Sequence, residues 1–384
     1  MRLLRPIWTV TVIFGCITSC CAQTSSRVVC AAFGVDGTLT TSTIKDGDLE
    51  TRLAFPGMPS KTIHTTVGTS WNCEEAISSD GTWLATVIST DKLTVQVIDL
   101  RSRELHRQYS SEWHTFHGMK LEPGYRAPFL GGFSADDSLV LWRYVPEKRD
   151  AASNASAANL HLQRWSVDGE LIADDDLGVS GFGGAGREPI SADGLHRLWI
   201  PGGCGIACYR GVSVDQGHVH AEGSLTIPFN DASVPIDIPT EKRLLSVAGE
   251  RTDQKAVLLD YSGRIDSEVN LPFFPNLFGP LVPDWFHAQR PVPSQDGQVV
   301  AIARTRVAWV LVDTDRDWGS EVLLLKLNPL GVVTTLKTGK GGIRALVVDH
   351  RSGATRLVGF WKDHWHDLRW EEGGRGKWQE SETW

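Results

Sequence analysis

AISSDGTWLATVIST, residues 76–90, is the stretch whose reading decides the fold. A short apolar run stops at Ser79-Asp80-Gly81, and a second run follows with Trp83, Leu84, Val87 and Ile88. Asp-Gly between two such runs is a strong hairpin signal, because glycine accepts the positive φ that a tight turn demands. The same phrase returns as GGFSADDSLVLWRY from Gly131, PISADGLHRLWI from Pro189 and PVPSQDGQVVAIA from Pro291, with a degenerate copy, IPTEKRLLSVAG, near Pro239. The serines that open the hairpin are Ser78, Ser134, Ser191 and Ser294.

A second hairpin follows each first one. It reads DKLTVQVIDL into ELHRQY after residue 90, then LQRWSVDGELIA, GVSVDQGHVHAEG, VLLDYSGRIDSEV and VLLLKLNPLGVVTTL further along. The repeating unit is therefore four strands, at a spacing of roughly 48–57 residues, longer than the ~40–45 of the commonest propeller repeat. One such sheet has two apolar faces and cannot bury either alone, whereas sheets packed in a ring cover both. A β-sandwich would not need the repeated phrase. With residues 27–70 as the first unit the count is seven; it is six if the N-terminal strands complete the sheet that begins at Gly341. The S-x-D-G-x-hydrophobic phrase resembles the blades of WD-repeat-like and TolB-like bacterial β-propellers, over nearly the whole mature chain. The resemblance implies an all-β propeller as a single domain, residues 27–384. The Gly-His and Trp-Asp dipeptides of true WD repeats are absent from their expected places, so it implies none of that family's partners.

The N-terminus reads as an export signal over residues 1–22, with Arg2 and Arg5 before an apolar stretch too short for an ordinary membrane span. Two processing readings stay open. Ile17-Thr18-Ser19-Cys20 resembles a lipoprotein signal with Cys20 lipidated, while cleavage after Ala22 leaves the even set Cys30, Cys73, Cys204 and Cys208. The expected address is periplasmic, cell-surface or secreted. A net charge of −8 and the lack of a Lys/Arg block argue against nucleic acid as a partner.

The sharpest local motif is DTDRDWGSE, read as a loop between two strands. Asp313, Asp315, Asp317 and Glu321 stand at positions 1, 3, 5 and 9, the spacing of a calcium loop, since alternate residues of a tight loop can turn oxygens inward. Trp318 stands where such loops want glycine, so a solvated acidic loop competes with Ca2+ as the reading. Cys204 and Cys208, in PGGCGIACYRG, are expected to form a local disulfide, and Cys30 with Cys73 a second one that joins the first two units. His364 and His366 would share one strand face and could bind a transition metal; packing against the neighbouring tryptophans is the plainer expectation. Asp174-Asp175-Asp176 reads as solvated loop. The aromatic loop with Trp113, His114, Phe116 and His117 could line a pocket or cover the core.

No catalytic signature emerges. Gly178-Val179-Ser180-Gly181-Phe182 fails the nucleophile-elbow pattern, and Gly181, Gly183, Gly184 and Gly186 lack the Lys-Ser/Thr of a phosphate loop. The expected function is an exported, monomeric binding scaffold that takes a protein, glycan or small molecule at its loops or channel mouth. Membrane contact enters only through a lipid anchor on Cys20. The alternative is a propeller hydrolase or lyase acting on a carbohydrate or small ester, its site assembled at the central channel.

Overall fold

The computed structural model describes residues 27–68, 70, 72–89, 92–112, 129–134, 136–146, 158–180, 196–201, 208–215, 218–227, 235–238, 242–248, 254–272, 284–288, 291–309, 315–339, 342–371 and 379–380. Among these every regular element is a β-strand, and neighbouring strands pair antiparallel. The first sheet holds β1 (Val28–Phe33), β2 (Leu39–Lys45), β3 (Asp48–Ala54) and β4 (Lys61–Thr66), paired in that order. The second holds β5 (Asn72–Ile77), β6 (Trp83–Ser89), β7 (Lys92–Asp99) and β8 (Glu104–Glu112). The third holds β9 (Phe129–Phe133), β10 (Leu139–Pro146), β11 (Ala158–Trp165) and β12 (Leu171–Ser180). β13 (His196–Pro201), β14 (Cys208–Asp215) and β15 (His218–Thr226) make the fourth. β16 (Ile236–Ile238), β17 (Arg243–Ala248), β18 (Lys255–Asp260) and β19 (Ile265–Asn270) make the fifth. In the sixth, β20 (Asp284–Ala288) and β21 (Val292–Pro293) both pair with β22 (Val299–Trp309), which is followed by β23 (Asp315–Leu327) and β24 (Leu330–Gly339). β25 (Ala345–Arg351), β26 (Ala354–Trp361), β27 (His364–Glu371) and β28 (Gln379–Glu380) close the chain. The last sheet is built from C-terminal strands, and the N-terminal strands form a sheet of their own.

Burial explains why the middle strands read as unbroken apolar runs. β6 is buried from Leu84 to Ser89 and β7 from Leu93 to Ile98, because both faces of an inner strand meet a neighbouring sheet. β4 and β19 lie at the outer rim, and there exposure alternates residue by residue. Burying each Leu, Ile or Val side chain completely contributes about 1.5–3 kcal/mol, so these interfaces carry most of the stability. Ile236, Leu245 and Leu258 of the fifth sheet pack with Val300, Ile302 and Leu323 of the sixth. Phe33 and Leu39 of the first sheet pack with Val358 of the last, and Trp365 Nε1 donates to Thr43 Oγ1 at 3.1 Å. First and last sheets therefore meet, and the ring closes.

The repeated serine-aspartate phrase is a turn with its own internal hydrogen bonds. Ser78 Oγ donates to Asp80 Oδ1 at 2.7 Å, the Thr82 N–H donates to the same oxygen at 2.9 Å, and Ser78 N–H reaches the Trp83 carbonyl at 2.8 Å. Gly81 sits at φ 72°, as the turn requires. In the ADDS copy Asp137 takes that place at φ 61°. The second-hairpin glycine, Gly169 (φ 88°), has a packing reason too: a Cβ there would come within 2.7 Å of the Tyr109 ring of the second sheet.

Several sequence expectations need correction. DTDRDWGSE is not a loop throughout: β22 runs on to Trp309 and β23 already begins at Asp315, so Asp315 and Asp317 stand opposite Trp309 and Val307. In the sixth sheet, β20 and β21 each pair antiparallel with a different part of β22. Asp174, Asp175 and Asp176 lie within β12, where Asp174 meets the His161 ring nitrogen at 2.8 Å and accepts from Gln163 at 3.0 Å.

Candidate functional site

The short turns gather at one end of the ring and join sheet to sheet. His350 Nδ1 contacts Asp296 at 2.7 Å, Arg351 donates to the Gly34 carbonyl at 2.7 Å, and Gln295 donates to the Phe33 carbonyl at 2.7 Å. His106 meets Asp168 at 2.9 Å across the second and third sheets. Hydrogen bonds lower the pKa of two of the serine-aspartate turn carboxyls. The Thr82 hydroxyl, foremost, holds Asp80 below its ordinary value of 3.8, and the Ser134 hydroxyl does the same for Asp136. Asp137 is pushed up, by burial first and then by the charges of Asp80 and Asp136. Asp80, Asp136 and Asp296 thus each have a structural task.

The least expected chemistry lies on β5, the innermost strand of the second sheet. Successive side chains of a strand point to opposite faces. Cys73 and Glu75 accordingly face the first sheet, whereas Glu74 faces the third and accepts the Leu130 N–H at 2.5 Å. Cys73 is bonded to Cys30 of β1, with Cα atoms 5.5 Å apart. Two residues on, the Glu75 carboxyl accepts from Thr40 Oγ1 at 2.8 Å, from Thr86 Oγ1 at 3.4 Å and, through a very short contact, from Ser42 Oγ. Ser42 is linked onward to Thr51 at 2.8 Å. Thr40, Ser42 and Thr86 are fully buried, so the carboxyl lies deep although the residue as a whole keeps partial exposure. Burial pushes the Glu75 carboxyl from its ordinary 4.5 up to about 7, against the opposing hydrogen bonds from Ser42, Thr40 and Thr86. A carboxyl poised near neutrality can take up or give up a proton, which is what marks this strand as the candidate site.

The residues singled out from sequence fall elsewhere. Glu321 is buried and committed to Arg304, whose guanidinium also reaches the Gln254 side chain at 3.4 Å and the Pro272 carbonyl at 2.9 Å. Glu321 is thus engaged as an ion-pair partner. Asp313, Cys204, Cys20 with the rest of residues 1–22, the 113–117 aromatics and Gly181, Gly183, Gly184 and Gly186 lie outside the described residues, as do the side chains of Asp315, Asp317 and Cys208. Cys30 and Cys73 do come together. His364 and His366 have ring centroids 4.1 Å apart, and His366 stacks on Trp361 at 4.0 Å with 5° between the planes. Sequence reasoning passed over Glu75. Its signal was a carboxylate inside NCEEAI, on the strand that leads into the repeated turn, opposite the hydroxyl-rich TLTTST of β2.

No family model matches the chain, and no curated protein does. Solved structures do. The chain superposes on KlHsv2 carrying a Gly-Ser linker in place of loop 6CD, with a TM-score of 0.52 and 10% identity over 93% of this chain and 98% of that one. It also superposes on a prolyl endopeptidase with a TM-score of 0.54 and 14% identity, over 93% of this chain but only 50% of the other, so it spans about half the endopeptidase's length. At such identities the likeness concerns the fold alone, and that fold is the β-propeller.

Proposed function

We propose that the chain is an exported β-propeller that serves as a binding scaffold in or outside the cell envelope. The observation that carries this reading is that, Glu75 aside, the buried ionisable groups described are already engaged in ion pairs, either within one sheet or from sheet to sheet. Arg304 is spent on Glu321, Arg356 on Asp367 at 2.7 Å, and His350 on Asp296. The Cys30–Cys73 bridge supports the export half, since such bridges persist in oxidising compartments. Strand direction supplies a binding face. β8, β12 and β19 all end, and β10 and β22 both turn, at the end of the ring opposite the serine-aspartate turns. A protein, glycan or small-molecule ligand would be held at that end. Expression of the full chain in a bacterial host, followed by fractionation, thiol alkylation and N-terminal mass analysis, tests the address. Envelope material with Cys30 and Cys73 oxidised is expected, processed before Gln23 or lipidated at Cys20. A full-length cytoplasmic product with free thiols would overturn it.

One observation favours the enzyme alternative, namely Glu75 held at about 7 on an innermost strand. A panel of chromogenic esters and glycosides separates the two. The scaffold predicts saturable glycan or protein binding without turnover; turnover that vanishes in Glu75→Gln would establish the enzyme instead.

A further inference from the structure

We propose that Glu75 makes the junction between the first and second sheets a proton-dependent clasp, which the Cys30–Cys73 bridge holds shut when the carboxyl ionises. The bridge and the carboxyl are two residues apart on the same face of β5, and both engage the first sheet. One contact is covalent and indifferent to protons. The other depends on which of its atoms carries a hydrogen.

The surroundings set that dependence. Among the described residues, the side chains that bond the Glu75 carboxyl are hydroxyls, with no guanidinium, ammonium or imidazole. The charged residues of the strands packed around it point away. Lys45, Asp48 and Glu50 are exposed, Arg52 donates to Ser60, Glu74 is turned to β9, and β6 carries no charged residue. The neutral acid suits this pocket. Its O–H can donate to Ser42 or Thr40, because Ser42 can pass its own hydrogen to Thr51 and Thr40 can donate to the Ala32 carbonyl at 3.4 Å. The ionised form keeps the hydroxyl donors, but it places an uncompensated charge between two sheets, and burial disfavours that. Deprotonation therefore loosens this junction, while Arg304–Glu321, at the fifth and sixth sheets, provides a reference that has its own cation.

Amide hydrogen exchange of the full chain, corrected for the intrinsic effect of pH, tests the clasp. In a Cys30→Ala/Cys73→Ala chain, amides of β1, β2 and β5 should lose about tenfold in protection between pH 6 and pH 8. This is the change in the opening equilibrium expected for a carboxyl that titrates near 7 when closed and near 4.5 when open. The bridged chain should lose less, amides of β22 and β23 should not follow, and Glu75→Gln should remove the pH dependence in either background. The same loss with Glu75→Gln present, or equal losses at both junctions, overturns the proposal. Should the cysteine-free chain fail to fold, the bridged chain decides. Its melting temperature should fall from pH 6 to pH 8 and that of Glu75→Gln should not; parallel curves would refute the clasp.

Discussion

Glu75 and Glu321 are the same residue type placed between sheets of the same ring, yet they perform opposite tasks. Glu321 faces a guanidinium that is itself held by Gln254 and the Pro272 carbonyl, so charge meets charge in a buried, geometrically fixed pair. Glu75 faces three hydroxyls, which supply dipoles but no charge. A buried carboxylate with a cation acts as a rivet. Without one it becomes a group whose contribution follows pH.

The sharpest way to break that comparison is to remove the cation. Arg304→Ala strands the Glu321 carboxylate in the interior and should cost about 3–5 kcal/mol in chemical denaturation. Arg304→Met with Glu321→Leu replaces the pair by apolar groups of similar volume and should recover most of that loss. Were the single and double variants equally unstable, the pair's value would lie in packing and the contrast with Glu75 would fail.

The next effect is smaller and tied to pH. Glu75 is raised in the fold, so its stabilising influence is fully present below about 4.5 and is lost as pH rises towards 7. The span is worth at most about 3 kcal/mol. Glu75→Gln keeps the shape, cannot ionise, and should flatten this part of the stability–pH curve, leaving the variant the more stable form at pH 8. Urea midpoints measured from pH 4.5 to 8.5 would check it; a parallel decline in the variant would assign the slope to other groups.

Architecture was legible in the sequence and the site was not, for a physical reason. A hairpin turn is a local object: apart from an exposed contact of Asp80 with Arg101, the bonds of Ser78, Asp80 and Gly81 run to one another or to residues up to five positions away, so the motif can be read where it stands. Glu75 draws its character from Thr40 and Ser42, more than thirty positions earlier, and Glu321 from Arg304 and from Gln254 of another sheet. Spacing alone does not separate a calcium loop from a strand at Glu321, because alternation along a strand and alternation around a loop produce the same one-in-two pattern. The cysteine pair was readable because only four cysteines follow residue 22.

The smallest effects belong to the turns, and their sign is the reverse of that at Glu75. Asp80 is held below its ordinary range, chiefly by the Thr82 hydroxyl, so its contribution is present above about 4 and is lost as pH falls. Asp80→Ala removes acceptors from the Ser78 and Thr82 hydroxyls and the Thr82 N–H, and should cost about 1 kcal/mol at pH 7. Arg101→Ala removes an exposed partner 3.4 Å from Asp80 and should cost less than about 0.5 kcal/mol, vanishing in high salt. The cost of Asp80→Ala should shrink as pH falls below about 4, while Glu75→Gln should have lost its advantage there as well. The two carboxyls thus bound the stability curve from opposite sides, Asp80 and its fellow turns on the acid limb and Glu75 on the neutral one. A ring whose stability peaks between them, and whose peak broadens towards alkaline pH only in Glu75→Gln, is the outcome this arrangement requires.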